Sequence, residues 1–359
     1  MSVAGGGRRA SRSLSSNNAK PGSNSKQAQS TPGLVPQTIR ISRYLFTRDH
    51  QVLTRHDLPD HLLIQRLTSR DIAMLMALDQ YRYLDREQIE HLFFHGPRSC
   101  QLRLKHLTEC SLLLRWQVRL QPGYVPRPSI YVLSSRGARL LARVCQADRE
   151  SFVRRAEHAR SHAFHLLHDL EANAFFVGLA TAGRARNDQG LYHWVGERGA
   201  WHAYAQAHEL GPIPDGWGRY LLPEGEVIFF LEWDRGTLQR ARLRMKVSHY
   251  RNYFRGRRRA TATHVLYVVP TQAREEQVRT EIGRALFRVG SDCCRFWTTT
   301  VERLHRDGPL GRIWWAAGAP ERFVQFEELP TQPPSGRPAT ACIGKPHWWE
   351  RRPAGGQGA

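Results

Sequence analysis

The sequence predicts an α+β protein in two parts: a helical segment closed by a β-hairpin, then an α/β domain with a mixed sheet. Three observations predict it. Apolar residues recur at helical spacing between residues 68 and 110, interrupted by a Gly96-Pro97 break. From about residue 190 onward, short apolar runs such as Val227-Ile228-Phe229-Phe230-Leu231 alternate with helical stretches, the order of a sheet covered by helices. Residues 1–40 are poor in apolar side chains and the stretch after about 330 is rich in Pro and Gly, so both lie outside the folded parts.

Length and charge bound the function. A chain of 359 residues holds about two domains with extensions. Its net charge of +21 points to a polyanion: DNA, RNA or an anionic membrane. An arginine excess from GC-rich codon use gives a basic chain too, so charge alone does not choose. No run of about 18 apolar residues is present, and residues 1–36 lack an apolar signal core. None of the six cysteines forms a Cys-x-x-Cys pair, which argues against a zinc knuckle or a disulfide framework. The expectation is a cytoplasmic protein with no membrane partner, its oligomeric state open.

Residues 1–60 read as a disordered basic tail and linker. Thr68 caps a first helix with Asp71 three residues on, and Ile72, Leu75, Met76 and Leu78 form its apolar set. Asp85 caps a second helix over 86–94. A third helix covers about 98–110, with Leu102, Leu104 and Leu107 as its apolar set. Strands at 112–120 and 130–133 flank the loop 121–128. Three helices and then a hairpin is the winged helix-turn-helix order, placed here at 61–148. The third helix would enter the major groove with Arg98, Ser99, Gln101, Arg103 and Lys105, and the wing would carry Arg127. The 61–146 stretch holds 13 Lys/Arg against 6 Asp/Glu, which suits DNA. A winged helix used for protein contact is the competing reading.

The α/β domain is expected over 149–325, with a disordered tail at 326–359. A long helix at 152–180 would carry His158, His162, His165 and Asp169 in one stripe. That stripe suits metal ligation, the lining of a site, or half-buried histidines bonded to neighbours. Strands near 192–195, 219–222, 227–234, 264–269 and 296–300 and helices at 237–254 and 275–286 complete the domain.

The chemistry gathers at 214–246. Asp215 opens one strand, and Glu232 and Asp234 end its neighbour on a shared face. Carboxylates meeting at a strand end can hold Mg²⁺, and metal-assisted chemistry on a phosphodiester needs such acids. Lys246, on the following helix, would face them and stabilise charge. Residues 235–259 contain ten Lys/Arg and no acid, a candidate phosphate stripe that includes Arg242, Arg257 and Arg258.

These motifs carry a resemblance. Leu67-Thr68-Ser69-Arg70-Asp71, Tyr81-Arg82-Tyr83-Leu84, the 107–115 stretch, Tyr131-Val132-Leu133-Ser134-Ser135-Arg136-Gly137, Pro214-Asp215-Gly216, Phe230-Leu231-Glu232-Trp233-Asp234-Arg235-Gly236 and Leu266-Tyr267-Val268-Val269-Pro270 resemble the replication-relaxation family of plasmid and mobile-element proteins. The resemblance covers about 65–325 and implies DNA binding, with plasmid replication proteins as further partners. The second domain is also similar to the PD-(D/E)xK nuclease superfamily, which implies a restriction-endonuclease-like fold. In that superfamily an Asp and a Glu hold metal and a Lys two residues after the Glu assists the water. Asp215 and Glu232 match the acids. Asp234 stands where the pattern has Lys, with Lys246 as a substitute from the helix.

The resulting expectation is a DNA-binding protein of plasmid or mobile-element replication or relaxation. Its winged helix grips duplex DNA, and its nuclease-like domain binds DNA. Nicking by that domain is an open question, with Mg²⁺ as cofactor if it is active and none otherwise. The alternative is a winged-helix transcriptional regulator or protein adaptor with an inactive second domain.

Overall fold

The computed structural model describes residues 46–48, 58–118, 128–161, 163–204, 212–254, 263–287, 295–317, 322–333 and 338–350. All belong to one unit, residues 40–359.

The first part begins with β1 (Phe46–Arg48) and α1 (Asp60–Arg66). α2 (Ser69–Tyr81) starts at a capping box in which Thr68 and Asp71 satisfy each other's backbone N–H groups. The short β2 (Leu84–Asp85) leads into α3 (Arg86–Phe93), which repeats the device with Asp85 and Gln88. α4 (Pro97–Glu109) opens on a proline, whose missing N–H is no loss in a first turn. β3 (Leu113–Val118), β4 (Ile130–Leu133) and α5 (Ser135–Val144) follow. The strands form an antiparallel sheet in the order β1-β3-β4-β2. β1 lies in the segment read as tail and linker, and Phe46 pairs with Val118. Arg127 and most of the wing loop lie outside the described residues.

The helix expected over 152–180 is broken. α6 (Arg149–Ser161) is followed by a 3₁₀ turn at Ala163–His165 and then α7 (Leu166–Arg184). The two halves have different partners: α6 packs on α5, whereas α7 packs on the large sheet. The chain must turn between them, so the helical phase that placed the histidines in one stripe is lost.

The large sheet has seven strands in the order β11-β10-β9-β8-β7-β6-β5. In chain order they are β5 (Gly190–Gly196), β6 (Gly216–Leu222), β7 (Gly225–Trp233), β8 (Thr263–Val269), β9 (Arg295–Thr300), β10 (Trp314–Ala316) and β11 (Phe323–Val324). α8 (Glu197–Tyr204) lies between β5 and β6, α9 (Arg240–Phe254) between β7 and β8, α10 (Gln272–Phe287) between β8 and β9, and α11 (Val301–Asp307) after β9. β7, β8 and β9 run parallel through the α9 and α10 crossovers, and the other pairs are antiparallel, so the sheet is mixed.

Alternation along β7 divides the core. Phe229 and Leu231 join the cluster that holds Phe175, Phe176, Trp194 and Trp314 on the α7 side. Phe230 joins Leu243, Val247, Tyr250, Val265 and Ile282 on the α9 and α10 side. Glu232 therefore faces α9, and Trp233 faces α7. Gly216 has no room for a side chain, since a Cβ there would lie 2.7 Å from the Phe176 ring.

The stretch read as a tail at 326–359 is packed over 338–350. Cys342, Ile343 and Trp348 are buried. The Ile343 N–H bonds to Leu191 O on β5, and the Trp348 indole donates to Leu92 O of α3 at 3.1 Å. Lys345 Nζ donates to Gly183 O at 2.7 Å, near the end of α7, where a cation suits the helix dipole. Isolated tryptophans in a Pro/Gly-rich stretch gave no periodic signal of this docking.

Candidate functional site

The acid centre forms where β6 meets β7. The Asp215 N–H bonds to Leu231 O at 3.0 Å, just before the Gly216–Leu231 pair of the ladder. The Asp215 Oδ2 accepts the Trp233 N–H at 2.6 Å. Glu232 is 2% exposed, and its two oxygens have different partners: Oε2 pairs with Lys246, and Oε1 accepts the Tyr250 hydroxyl at 2.5 Å. Lys246 and Tyr250 stand four apart on α9, so one helix face meets the carboxylate twice.

His168 closes the centre from α7. Its Nε2 lies 3.0 Å from Trp233 O and 3.4 Å from Asp215 Oδ2, and its Nδ1 lies 3.8 Å from Asp169 Oδ1. Asp169 Oδ2 pairs in turn with Arg82 at 3.2 Å, and the same Arg82 nitrogen reaches Glu197 at 2.9 Å. Arg82 sits in a γ-turn with φ 65 and ψ −55, closed by the Tyr83 N–H on Tyr81 O at 2.7 Å. This strained conformation for a residue with a Cβ is held by the two ion pairs. A small cleft lined by Arg82, Asp169, Glu197, Arg198 and Asp215 opens there.

Charge is balanced inside the centre. Burial works against the His168 charge, but Asp215 and Asp169 outweigh it and push the imidazole up to about 11. Burial likewise opposes ionisation of Asp215, but Lys246 and His168 win and hold its carboxyl down to about 2. Burial and the neighbouring Asp215 raise Glu232 to about 7 against the pull of Lys246. Lys246 is burdened by burial, but Glu232 and Asp215 keep its ammonium charged. Burial and Glu232 push Tyr250 well above the usual phenol range, so it is not an activated nucleophile.

As arranged, the donors do not fit Mg²⁺. Both Glu232 oxygens and Asp215 Oδ2 are engaged, and the Lys246 ammonium takes the place beside the acids that a cation needs. Among the described residues, no group of three or more His, Cys, Asp or Glu could hold a metal ion.

The structure brings Asp215, Glu232 and Lys246 together and leads Asp234 elsewhere. The Asp234 Oδ2 pairs with Arg274 of α10 at 2.6 Å, and its Oδ1 accepts the Gly236 N–H at 2.7 Å. It sits past the end of β7 and serves the turn into α9. The histidine stripe also parts: His158 lies on α6, His165 in the 3₁₀ turn, and His162 outside the described residues. His168, Arg82 and Tyr250 were missed as partners of the acids, whereas Asp169 belongs to the stripe that suits the lining of a site. For Tyr250 the i, i+4 spacing from Lys246 was the available sequence signal.

The cationic surfaces differ from their counts. Arg98, Ser99, Gln101 and Lys105 are exposed on α4. Arg103 is not with them: its Nε lies 2.7 Å from the fully buried Asp71. On α9, Arg242 is exposed, but Arg244 pairs with Glu281 at 2.7 Å and Lys246 with Glu232. Arg235 reaches Glu171 at 3.2 Å. The acid-free stretch is thus partly neutralised by acids from other elements. Arg257 and Arg258 lie outside the described residues.

Fold and site together define a mixed α/β protein with a buried, charge-balanced acid centre beside a basic helical part. The family model for replication-relaxation matches residues 75–269, more than half of the chain, and the chain belongs to that family. The match spans α4 as well as Asp215, Glu232 and Lys246. No curated protein and no solved structure matches the chain. Membership points to a role in plasmid or mobile-element replication or relaxation and to nucleic acid in general as partner. Among the described residues, no helix is long and apolar enough to cross a membrane.

Proposed function

We propose that the chain is a DNA-binding protein of plasmid or mobile-element replication or relaxation. α2, α3 and α4 with β3 and β4 act as a winged helix-turn-helix that grips duplex DNA. One observation carries the reading: α4 buries Cys100, Leu104 and Leu107 and turns Arg98, Gln101 and Lys105 to solvent. The three residues 94–96 between α3 and α4 include Gly96, a connection length and composition that suit a helix-turn-helix. A mobility-shift assay with random-sequence duplex tests it. Retardation that weakens alike on all sequences in Lys105→Ala supports it, and absence of any shift overturns it.

The seven-stranded domain is proposed to hold DNA rather than cut it, because its carboxylates are already satisfied by Lys246, Tyr250 and His168. The convergence of Asp215, Glu232 and Lys246 favours a second reading, a PD-(D/E)xK-like metal-dependent DNA endonuclease. Supercoiled plasmid incubated with the protein and Mg²⁺ or Mn²⁺ separates the two. Intact plasmid that is nevertheless bound supports the holding role, and nicking abolished by Asp215→Ala supports the endonuclease.

A further inference from the structure

α4 carries one apolar residue that the core does not use. Leu102 is 62% exposed, while Cys100, Leu104 and Leu107 on the same helix are fully buried. Its place in the sequence pattern was with that buried set. At about 100° per residue it lies instead almost opposite them, on the face shared by residues 98, 101 and 105. Its neighbours one turn away are therefore Arg98 and Ser99 on one side and Lys105 and His106 on the other, with Gln101 at the edge of the same face; all but the half-buried His106 are exposed. Arg103, the next cation along the helix, is turned back onto Asp71 and leaves the face open. The one acid of α4, Glu109, stands at its C-terminal end, where it lies 3.8 Å from Lys105 Nζ, an exposed pair that costs little to exchange for a phosphate.

An apolar side chain set among cations and an amide matches one particular surface. In the major groove each thymine presents a C5 methyl, a patch that an apolar side chain can cover, and adenine offers N6 and N7 to an amide. The phosphates on either side suit the cations. Resting on the reading of α4 as the groove-entering helix, we propose that Leu102 is a specificity-determining residue that recognises the thymine methyl of duplex DNA. Gln101 beside it is placed to read an adenine in the same or the adjacent pair. A second protein would also cover Leu102, but the flanking cations favour a polyanion.

The experiment selects bound sequences from a randomised duplex library with the wild type and with Leu102→Ala. The selected wild-type duplex is then remade with deoxyuridine in place of each thymine in turn, which removes only the methyl. Leu102 is solvent-exposed, so its truncation leaves the fold intact, and an unchanged circular dichroism spectrum and melting point confirm this. The expected result is one thymine position at which deoxyuridine weakens wild-type binding about fourfold, the worth of one buried methyl. Leu102→Ala is expected to lose the preference there and to bind both duplexes equally. Duplex binding with no deoxyuridine effect, or with the same effect in Leu102→Ala, overturns the inference and leaves the winged-helix reading standing. Failure of the wild type to retain any duplex overturns both.

Discussion

Arg103 Nε lies 2.7 Å from Asp71 Oδ1, and Asp71 is fully buried at the start of α2. The same carboxylate caps α2 through Thr68. An arginine at a position that reads as a DNA contact is therefore a structural tie between α2 and α4.

Arg103→Ala is expected to destabilise the protein by about 3 kcal/mol, since it leaves a buried carboxylate unpaired. Urea denaturation measures it. Replacing both partners, as Arg103→Met with Asp71→Asn, should recover part of the loss. A variant as stable as wild type with weakened DNA binding would return Arg103 to the groove.

The folded part was legible where local signals are strong. Thr68 and Asp85 announced α2 and α3 because capping boxes are local, and the apolar runs at 227–231 and 264–269 announced β7 and β8. What failed depended on tertiary partners. Leu102 counts as helical periodicity, yet only the packing of α4 decides which side is inner. Asp234 shares parity with Glu232, but the strand ends at Trp233 and Arg274 takes the acid. The ten-cation stretch looked unbalanced because Glu171, Glu232 and Glu281 come from other elements.

Between pH 4.5 and 6.5 two buried groups are expected to act in opposite directions: Glu232 lowers stability as pH rises, and His264, held down to about 4 by burial, raises it. The folded value of Glu232 is raised from 4.5 to about 7, so its contribution is full below 4.5 and lost as pH rises through 7. His168 is raised from 6.5 to about 11, so its contribution is full below 6.5 and lost only through pH 11. Asp215 is lowered from 3.8 to about 2, so it stabilises above 3.8 and loses that as pH falls through 2. Urea midpoints across this range should vary little in the wild type and rise with pH in Glu232→Gln, which leaves the His264 contribution unopposed. An unchanged slope in that variant would place the titration elsewhere.

Millimolar Mg²⁺ or Mn²⁺ is expected to leave the melting temperature of the free protein unchanged. A cation that bound the native acids would raise it by mass action. Lys246→Met removes the competing ammonium and should create a metal-dependent shift. A clear Mg²⁺ shift in the wild type would speak for the endonuclease reading.

Trp348→Ala is expected to cost about 3–5 kcal/mol, the usual range for a buried tryptophan. Trp348 is 7% exposed, stands 5.7 Å from the Phe93 ring between centroids, and bonds to Leu92 O. Thermal unfolding measures it, and a neutral outcome would show that residues 338–350 do not hold α3 to the large sheet.

A grip of the outer face of α4 on duplex DNA shows itself in how affinity varies across a salt series. The logarithm of the binding constant is expected to fall linearly with the logarithm of salt, by about 0.9 for each phosphate contacted. Arg98→Ala with Lys105→Ala should make that slope shallower by about one to two. Weak binding that hardly varies with salt, or a slope unchanged in the double variant, would contradict it.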